Sequence, residues 1–299
     1  MNKNFDIDQN LKLFEKIYDD TEVFEAVEKY IRDNYAEVAK YSKLLLKNRW
    51  TGLVGKPRLL RMAALALSLA TAKERFKEKG LDEQVFFDTM TDIKIWGEDC
   101  RAHFGEIGID EINWLRLHVN CKIFKIGRLQ YQLCKYYFGA KTIIAESKIR
   151  FGEKCFNIHI PRGERLDMDL CIRSLKSAYE MLGKAFPKIG REIMICHSWM
   201  LSSHNKNFIS EDSNISRFAK LFTLVGESQS ASEHLRWIFD IRADEKLLQN
   251  NKERLGYYYD LSEFQSKSSM QNSAKEYIMQ GGILSDGKGA LLTKDVIIR

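Results

Sequence analysis

The stretch that decides the fold begins with Asn157-Ile158-His159-Ile160-Pro161-Arg162-Gly163 and ends at Phe222. Two later segments within it share its character, an apolar run with polar residues set into it or at its end. They are Ile195-Cys196-His197-Ser198-Trp199-Met200-Leu201 and Ser213-Asn214-Ile215-Ser216-Arg217-Phe218. A helical pattern separates the first two segments. This layout is typical of a sheet whose strand ends border a ligand crevice.

The first of these segments reads as the end of a strand, Cys155 to Ile160. Alternation places Asn157 and His159 on one face, and Pro161 ends the strand because its nitrogen carries no hydrogen. The second segment ends a strand from Arg191 to Trp199, which is apolar on both faces, as expected of a central strand.

A helix from Asp167 to Phe186 joins the two strands, and a strand–helix–strand unit of this length favours parallel neighbours. Parallel strands would bring His159 and Ser198 to the same end of the sheet, where we expect them to line one crevice. The segment from Ser213 to Arg217 is expected to return over that crevice.

The chain before this stretch reads as helices. Residues 8–120 repeat apolar residues at helical spacing, and the run from Leu59 to Phe76 is apolar on most sides, which predicts a central helix. An aromatic stripe in the run from Asp82 to Phe104 is typical of core packing. The period changes near Ile123, and Gly127 to Leu133 alternates as a strand does.

The remaining elements complete the predicted domain division. Thr142 to Ala145, Arg217 to Val225 and Gly289 to Leu292 are expected strands, and Ser232 to Phe239 and Ser262 to Met279 expected helices. The predicted fold class is therefore α+β, with an all-helical domain over residues 1–122. An α/β domain over residues 123–299 follows, a mixed sheet flanked by helices.

Charge and cysteine usage limit the function classes. Residues 1–120 hold 19 Lys and Arg against 21 Asp and Glu, whereas residues 121–299 hold 28 against 20. A basic C-terminal half suits an anionic ligand, although solvated surface charge explains it equally well. No basic run with interleaved aromatics indicates a nucleic-acid groove. None of the 6 cysteines forms a C-x-x-C pair, and no signal peptide or membrane span is evident, so we expect a cytoplasmic protein.

The ordered motifs resemble a known family. His-Ile-Pro-x-Gly from His159, Cys-x-Ser-Trp-hydrophobic-Leu from Cys196 and Ser-Asn-Ile-x-x-Phe from Ser213 are similar to motifs of bacterial acyltransferase-domain proteins. The segment from Ile126 to Tyr131 resembles that family's Leu-Gly-Arg-Leu-Gln-Phe. These proteins pair a helical N-terminal domain with a C-terminal domain similar to the GNAT acyltransferases. The resemblance implies a GNAT-like fold and acyl transfer from acetyl-CoA or another acyl-CoA as co-substrate, with no permanently bound cofactor.

Acyl transfer to an amine requires a base and a group that stabilises the oxyanion or protonates the leaving thiolate. His159 is the candidate base, against the alternative of a buried histidine bonded to the backbone. Ser198 is the candidate proton or oxyanion donor, against the alternative of closing the backbone at the strand end. Cys196 is a candidate nucleophile only with His159 across neighbouring strands, because its neighbour His197 points to the opposite face.

Binding residues are also suggested by position. For the CoA phosphates the candidates are Arg217 and Arg128, helped by Ser213 and Asn214, which also suit a turn or a short helix cap. Candidates for the substrate pocket are Trp199, Asn157 and Gln130, and a core role suits Trp199 equally. The sequence contains no Arg/Gln-x-x-Gly-x-Gly/Ala phosphate loop and no spacing of metal ligands.

Three functions from different classes remain open. The leading hypothesis is an N-acyltransferase that acts on a small-molecule or peptide amine, with no nucleic acid or membrane partner. The alternative is a binding or regulatory protein that keeps the fold without the chemistry, which the missing phosphate loop suggests. A hydrolase that uses Cys196 is the third, and it requires a reactive thiol.

Overall fold

In the computed structural model of the chain, residues 5–241 and 261–297 are described, and they form two compact units. The first unit contains Met1–Leu133, Ile160–Glu164 and Ser177–Lys188, and the second contains Cys134–His159, Arg165–Lys176 and Ile189–Arg299. The hairpin at the start of the predicted second domain therefore belongs to the first compact unit.

The first unit is built of helices that end in a hairpin. The helices are α1 Ile7–Ile17, α2 Thr21–Asp33, α3 Tyr35–Leu46, α4 Arg58–Ala66, α5 Leu69–Glu78, α6 Glu83–Met90, α7 Asp92–Phe104 and α8 Ile112–Val119, with a 3-10 turn at Trp50–Leu53. The hairpin consists of β1 Ile123–Ile126 and β2 Leu129–Lys135. Asp6 and Asp20 begin the first two helices, because their carboxylates accept the N–H groups of Gln9 and Val23.

The central apolar segment is two helices rather than the one predicted. The run from Met62 to Leu67 is completely buried, which confirms its place in the core. The helix is interrupted at Ser68. The hydroxyl of Ser68 donates to the carbonyl of Ala64 at 2.6 Å and so competes with the backbone hydrogen bonds of the helix. Thr91, which donates its hydroxyl to the Asp88 carbonyl, divides the next predicted helix in the same way.

The predicted strand at Gly127 is also corrected. Gly127 has φ 63° and, with Arg128, forms the two-residue turn between β1 and β2, where Ile126 pairs with Leu129. A positive φ is inexpensive for glycine, which has no Cβ. The alternation of apolar residues was therefore correct from Leu129 onward, and the glycine marked the hairpin turn.

The second unit contains a mixed sheet. Its elements are β3 Lys141–Ile144, β4 Ser147–Arg150, β5 Lys154–His159, β6 Ile193–Ser198, α10 Asn214–Ala219, β7 Thr223–Gln229, α11 Ser232–Phe239, α12 Ser269–Met279, β8 Ser285–Leu292 and α13 Lys294–Ile297, with 3-10 turns at Trp199–Leu201 and Ser203–Asn207. Helix α9, Met168–Ala185, lies between β5 and β6 in the chain. Four strands pair in the order β5-β6-β8-β7, and only β5 and β6 are parallel. The expected mixed sheet with flanking helices is confirmed.

Two buried clusters stabilise this unit. One lies on a face of the sheet and contains Ile193 and Ile195 of β6 with Ala290 and Leu292 of β8. The other is centred on Trp199 and the helices α11 and α12. Gly287 and Gly289 let the turn after β6 approach β8, because a Cβ at Gly287 would lie 2.3 Å from the Leu201 carbonyl oxygen.

Three predicted boundaries in this unit were wrong. The predicted strand from Arg217 is a helix, α10, which begins because Ser213 accepts the N–H of Ser216 at 3.1 Å; the strand starts at Thr223. The helix predicted from Ser262 begins at Ser269, capped by Ser268. The last strand is longer than predicted and starts at Ser285.

Candidate active site

The parallel pair β5 and β6 fixes which polar side chains can meet. Asn157 lies opposite Ile195 in the parallel register, which confirms the predicted pairing. Residues opposite each other on neighbouring strands point to the same face, and alternate residues share it. His159 and His197 therefore lie on one face, at the carboxyl ends of both strands.

The same register separates residues that the sequence had grouped. Cys196 and Ser198 point to the face opposite to His159, since they are one residue out of phase with Ile195. The expectation that His159 and Ser198 reach the same end of the sheet is confirmed, but they do not line one face. The proposed pairing of Cys196 with His159 was wrong for the same reason.

His159 is half-buried beside an asparagine of its own strand. The Nδ2 of Asn157 lies 3.1 Å from the Nε2 of His159, which accepts this hydrogen bond when that nitrogen is unprotonated. The side chain of Asn157 is buried, and its Oδ1 has no partner among the described residues. A buried acceptor without a donor costs free energy, so this oxygen suits an N–H group of a bound molecule.

His197 reaches across the sheet. Its backbone pairs with Lys288 of β8, while its Nε2 lies 3.4 Å from the hydroxyl oxygen of Ser228, which belongs to β7 on the far side of β8. The ring of His197 therefore lies over β8. The rings of Tyr137 and Phe138 approach it edge-on, with centroids 6.4 and 6.1 Å away.

The surroundings of His197 keep its imidazole neutral. Burial and the positive charge of Lys288 lower its pKa below the ordinary value, and the carboxylate of Glu233 opposes them weakly. A histidine with a lowered pKa is unprotonated near neutral pH and can accept a proton. The sequence alternation had placed His197 on a face with Ile193 and Ile195, but nothing in the sequence indicated its contact with β7.

Three predicted residues have structural contacts instead. The Oγ of Ser198 accepts the N–H of Met200 at 3.2 Å, which closes the backbone where β6 ends. The Cys196 thiol is completely buried, and burial raises its pKa. Trp199 is buried in the cluster of α11 and α12, and its ring lies 5.3 Å from that of His234.

Arg128 and Gln130 belong to the first unit, where both are buried. The guanidinium of Arg128 donates to the carbonyl oxygens of Pro161 at 3.1 Å and Glu164 at 2.8 Å, and so holds that segment of backbone. The side chain of Gln130 is one of the groups that lower the pKa of Asp92. These contacts are those of residues that organise the unit.

Helix α10 carries the other proposed phosphate ligands. Ser213 is the N-cap, Asn214 is the first helical residue, and the side chain of Arg217 is exposed to solvent. The alternative interpretation of Ser213 and Asn214 as the start of a short helix is confirmed. The guanidinium of Arg217 is accessible to a ligand.

No group of metal-ligating side chains is found in the described ranges 5–241 and 261–297. Across these same ranges, no helix combines the length and the apolar character that a membrane crossing requires.

Known structures share this fold across almost the whole chain. An acyltransferase in complex with decanoyl-CoA and teicoplanin superposes with a TM-score of 0.73 at 17% identity, covering 94% of this chain and 86% of that one. An acyltransferase mutant in complex with octanoyl-CoA gives 0.74 at 17% identity, covering 95% and 88%. An acyltransferase in complex with CoA and 10C-teicoplanin gives 0.74 at 17% identity, covering 94% and 87%. Identities this low show a common fold and no more.

Family models establish the class of protein. A model described as the N-acyltransferase N-terminal domain matches residues 3–121, and one described as the GNAT-like C-terminal domain matches residues 123–291. The chain belongs to the family of proteins with this GNAT-like C-terminal domain, as its motifs predicted. Among curated proteins, none matches the chain.

Proposed function

We propose that this protein is an N-acyltransferase that moves an acyl group from acyl-CoA to an amine, with the domain division at residue 122. The observation that carries the proposal is the position of His159 and His197 on one face, at the carboxyl ends of two parallel strands. The family membership supports it, as does the basic C-terminal half of the chain.

His197 is the better candidate for the base. Its lowered pKa keeps its imidazole neutral. The Nε2 of His159 is instead hydrogen-bonded to the Nδ2 of Asn157, so we assign His159 a positioning role in the site. His197 takes a proton from the ammonium form of the substrate, and the amine nitrogen attacks the thioester carbonyl carbon. The C–N bond forms and the C–S bond breaks, and a second N–H proton passes to the thiolate of CoA, so that the amide of a primary amine keeps one N–H. The imidazolium then releases its proton to water.

Attack is direct, without an acyl-enzyme intermediate. A cysteine nucleophile needs a thiolate, and Cys196 is buried with a raised pKa on the other face of the sheet. The unpaired Oδ1 of Asn157 suits an amide N–H of the pantetheine arm, and the exposed Arg217 suits a phosphate. Ser198 accepts the N–H of Met200 in the turn after β6.

Calorimetric titration with CoA, acetyl-CoA, octanoyl-CoA and decanoyl-CoA tests the proposal. We expect saturable binding of at least one thioester, weakened by Arg217→Gln and by added salt. Lys206→Gln, which removes another exposed charge of the second unit, is the matched control and leaves binding unchanged. Absence of binding by all four at millimolar concentration contradicts the proposal.

A protein that binds a ligand without transferring an acyl group is the second candidate. The observation that favours it is the absence from the sequence of an Arg/Gln-x-x-Gly-x-Gly/Ala phosphate loop. A bound thioester that is never consumed with any amine of a broad panel supports this candidate over the enzyme.

A further inference from the structure

We infer that Asp286, assisted by Glu233, binds the acceptor as a primary ammonium ion beside His197. The inference rests on the proposed acyl transfer and gives the acceptor its chemical class. All of the residues involved lie in the second unit.

The register of β8 places Asp286 next to His197. Asp286 and Lys288 are two residues apart on β8 and point to the same face, and Lys288 pairs with His197. On the other side of β8, Asp286 pairs with Ser228, whose hydroxyl oxygen lies 3.4 Å from the Nε2 of His197. The ring of His197 therefore lies over β8 between the side chains of Lys288 and Asp286.

Asp286 has an unused acceptor. The residue is only 7% exposed, and its Oδ1 has no hydrogen-bond partner among the described residues. A carboxylate oxygen buried without a donor is costly, and a ligand with N–H groups removes that cost. Glu233 is half-buried and accepts a hydrogen bond from the Nε1 of Trp237 at 2.5 Å. Its carboxylate is near enough for its charge to act on the pKa of both Asp286 and His197.

The charges around the site favour a cation. Burial and the neighbouring Glu233 raise the pKa of Asp286 to about 6, while a hydrogen bond from Ser230 opposes them. The carboxylate of Asp286 is therefore ionised at pH 7 to 8, and Lys288 lies two residues away on the same strand. An arriving cation brings the raised pKa of Asp286 down again, because an opposite charge stabilises the carboxylate.

The geometry of the acceptors favours a primary ammonium group. Two of its three N–H donors match the Oδ1 of Asp286 and the hydroxyl oxygen of Ser228. The third reaches the Nε2 of neutral His197 once the Ser228 hydroxyl, 3.4 Å away, no longer donates to that nitrogen. The edge-on rings of Tyr137 and Phe138 narrow the space beside His197. Transfer of one ammonium proton to His197 leaves a neutral amine in place for attack on the thioester.

The test uses n-butylammonium as the probe, in the full-length protein. Its dissociation constant is measured by ligand-observed NMR at pH 7.5, with n-butanol as the uncharged comparison. We expect Asp286→Asn to weaken n-butylammonium binding about tenfold or more, as expected for a lost charge-assisted bond. Glu233→Gln has a smaller effect. Asp212→Asn, an exposed carboxylate of the same unit, is the matched control and changes nothing.

The pH dependence provides a second readout on wild-type protein. Binding weakens as the pH falls from 7.5 to 5, because Asp286 becomes protonated and His197 loses its acceptor. The strand register places His197 and Lys288 on the face of Asp286, and Ser230 and Glu233 act on its pKa. A pH dependence that Glu233→Gln retains therefore belongs to Asp286 and His197. Should Asp286→Asn fail to fold, this titration decides the question.

Two outcomes overturn the inference. One is n-butylammonium binding that Asp286→Asn leaves unchanged, and the other is n-butanol binding as tight as that of the ammonium ion. Because acyl-CoA binding is measured separately, the two proposals fail separately. If Asp286→Asn loses n-butylammonium binding while the wild-type protein binds no thioester, the subsite is supported and acyl transfer is rejected. Acyl transfer that survives in Asp286→Asn with an unchanged KM for the amine rejects the subsite alone.

Discussion

His118 of the first unit and His197 of the second differ in their partners. The side chain of His118 is completely buried, and its Nε2 lies 2.9 Å from the Oδ2 of Asp92, which also accepts from the Nε1 of Trp114 at 3.0 Å. His197 is half-buried, and the neighbouring charge with the largest effect on its pKa is the positive charge of Lys288. A carboxylate beside a histidine favours the charged imidazolium, whereas a neighbouring cation favours the neutral imidazole, which can accept a proton.

Opposing effects determine the pKa of Asp92, the carboxylate partner of His118. Burial alone raises its pKa, but His118, Gln130 and Trp114 together more than compensate, so the pKa is lowered overall. Among the described residues, the side-chain hydrogen-bond contact of His197 is with the hydroxyl of Ser228. The comparison therefore predicts loss of activity at one histidine and loss of stability at the other.

The largest effect is expected for His197→Gln, which removes the base but keeps an amide of similar size. We expect the rate of acyl transfer to fall about 100-fold or more, the usual contribution of a general base. Thermal unfolding and acyl-CoA binding remain near the wild-type values. His118→Gln is the control, with the reverse pattern of a lower Tm and an activity that follows only the folded fraction. Equal loss of activity in both variants, at equal stability, contradicts the comparison.

The next effect concerns Asp92→Asn, which leaves the His118 side chain buried without its carboxylate. We expect the free energy of unfolding in urea to fall by about 3 kcal/mol, as for other broken buried pairs. Asp33→Asn breaks the exposed Lys29–Asp33 ion pair and is expected to cost less than about 1 kcal/mol.

The pH dependence has a definite sign. The folded-state pKa of Asp92 is lowered. Its contribution to the free energy of unfolding is therefore complete above the pKa of the unfolded state, about 4, and is lost as the pH falls through the folded-state pKa. The difference between wild type and Asp92→Asn should therefore shrink only below about pH 4. A difference that stays constant down to pH 2 shows that the charge of Asp92 does not stabilise the fold.

Much of the fold was predictable because local patterns determine it. The alternation in β5 and β6 and the helix between them were sufficient to predict a parallel pair, which the register of Asn157 and Ile195 confirms. Helix α10 was missed because it has only six residues and because Phe218 and Phe222 also fit a two-residue period. The signal that it is a helix is the cap at Ser213.

The site was less predictable than the fold. Alternation tells which residues of one strand share a face, but it does not tell which face of the next strand they join. That choice depends on the register, and it moved Ser198 and Cys196 away from His159. The contacts of His197 with Ser228 and the position of Asp286 depend on strands that pair far apart in sequence, so no local pattern carries them.

The smallest effect is expected for Cys196→Ala, which distinguishes a core thiol from a catalytic one. The side chain is completely buried with a raised pKa, and the register turns it away from both histidines. Removing its sulfur should cost about 1 kcal/mol through a small cavity and leave acyl transfer unchanged. Iodoacetamide should label Cys196 only as fast as the protein opens, which peptide mapping follows over time. Fast labelling at neutral pH, with loss of transfer in Cys196→Ala, would mean that the reactive group is the thiol and that His197 is not the base.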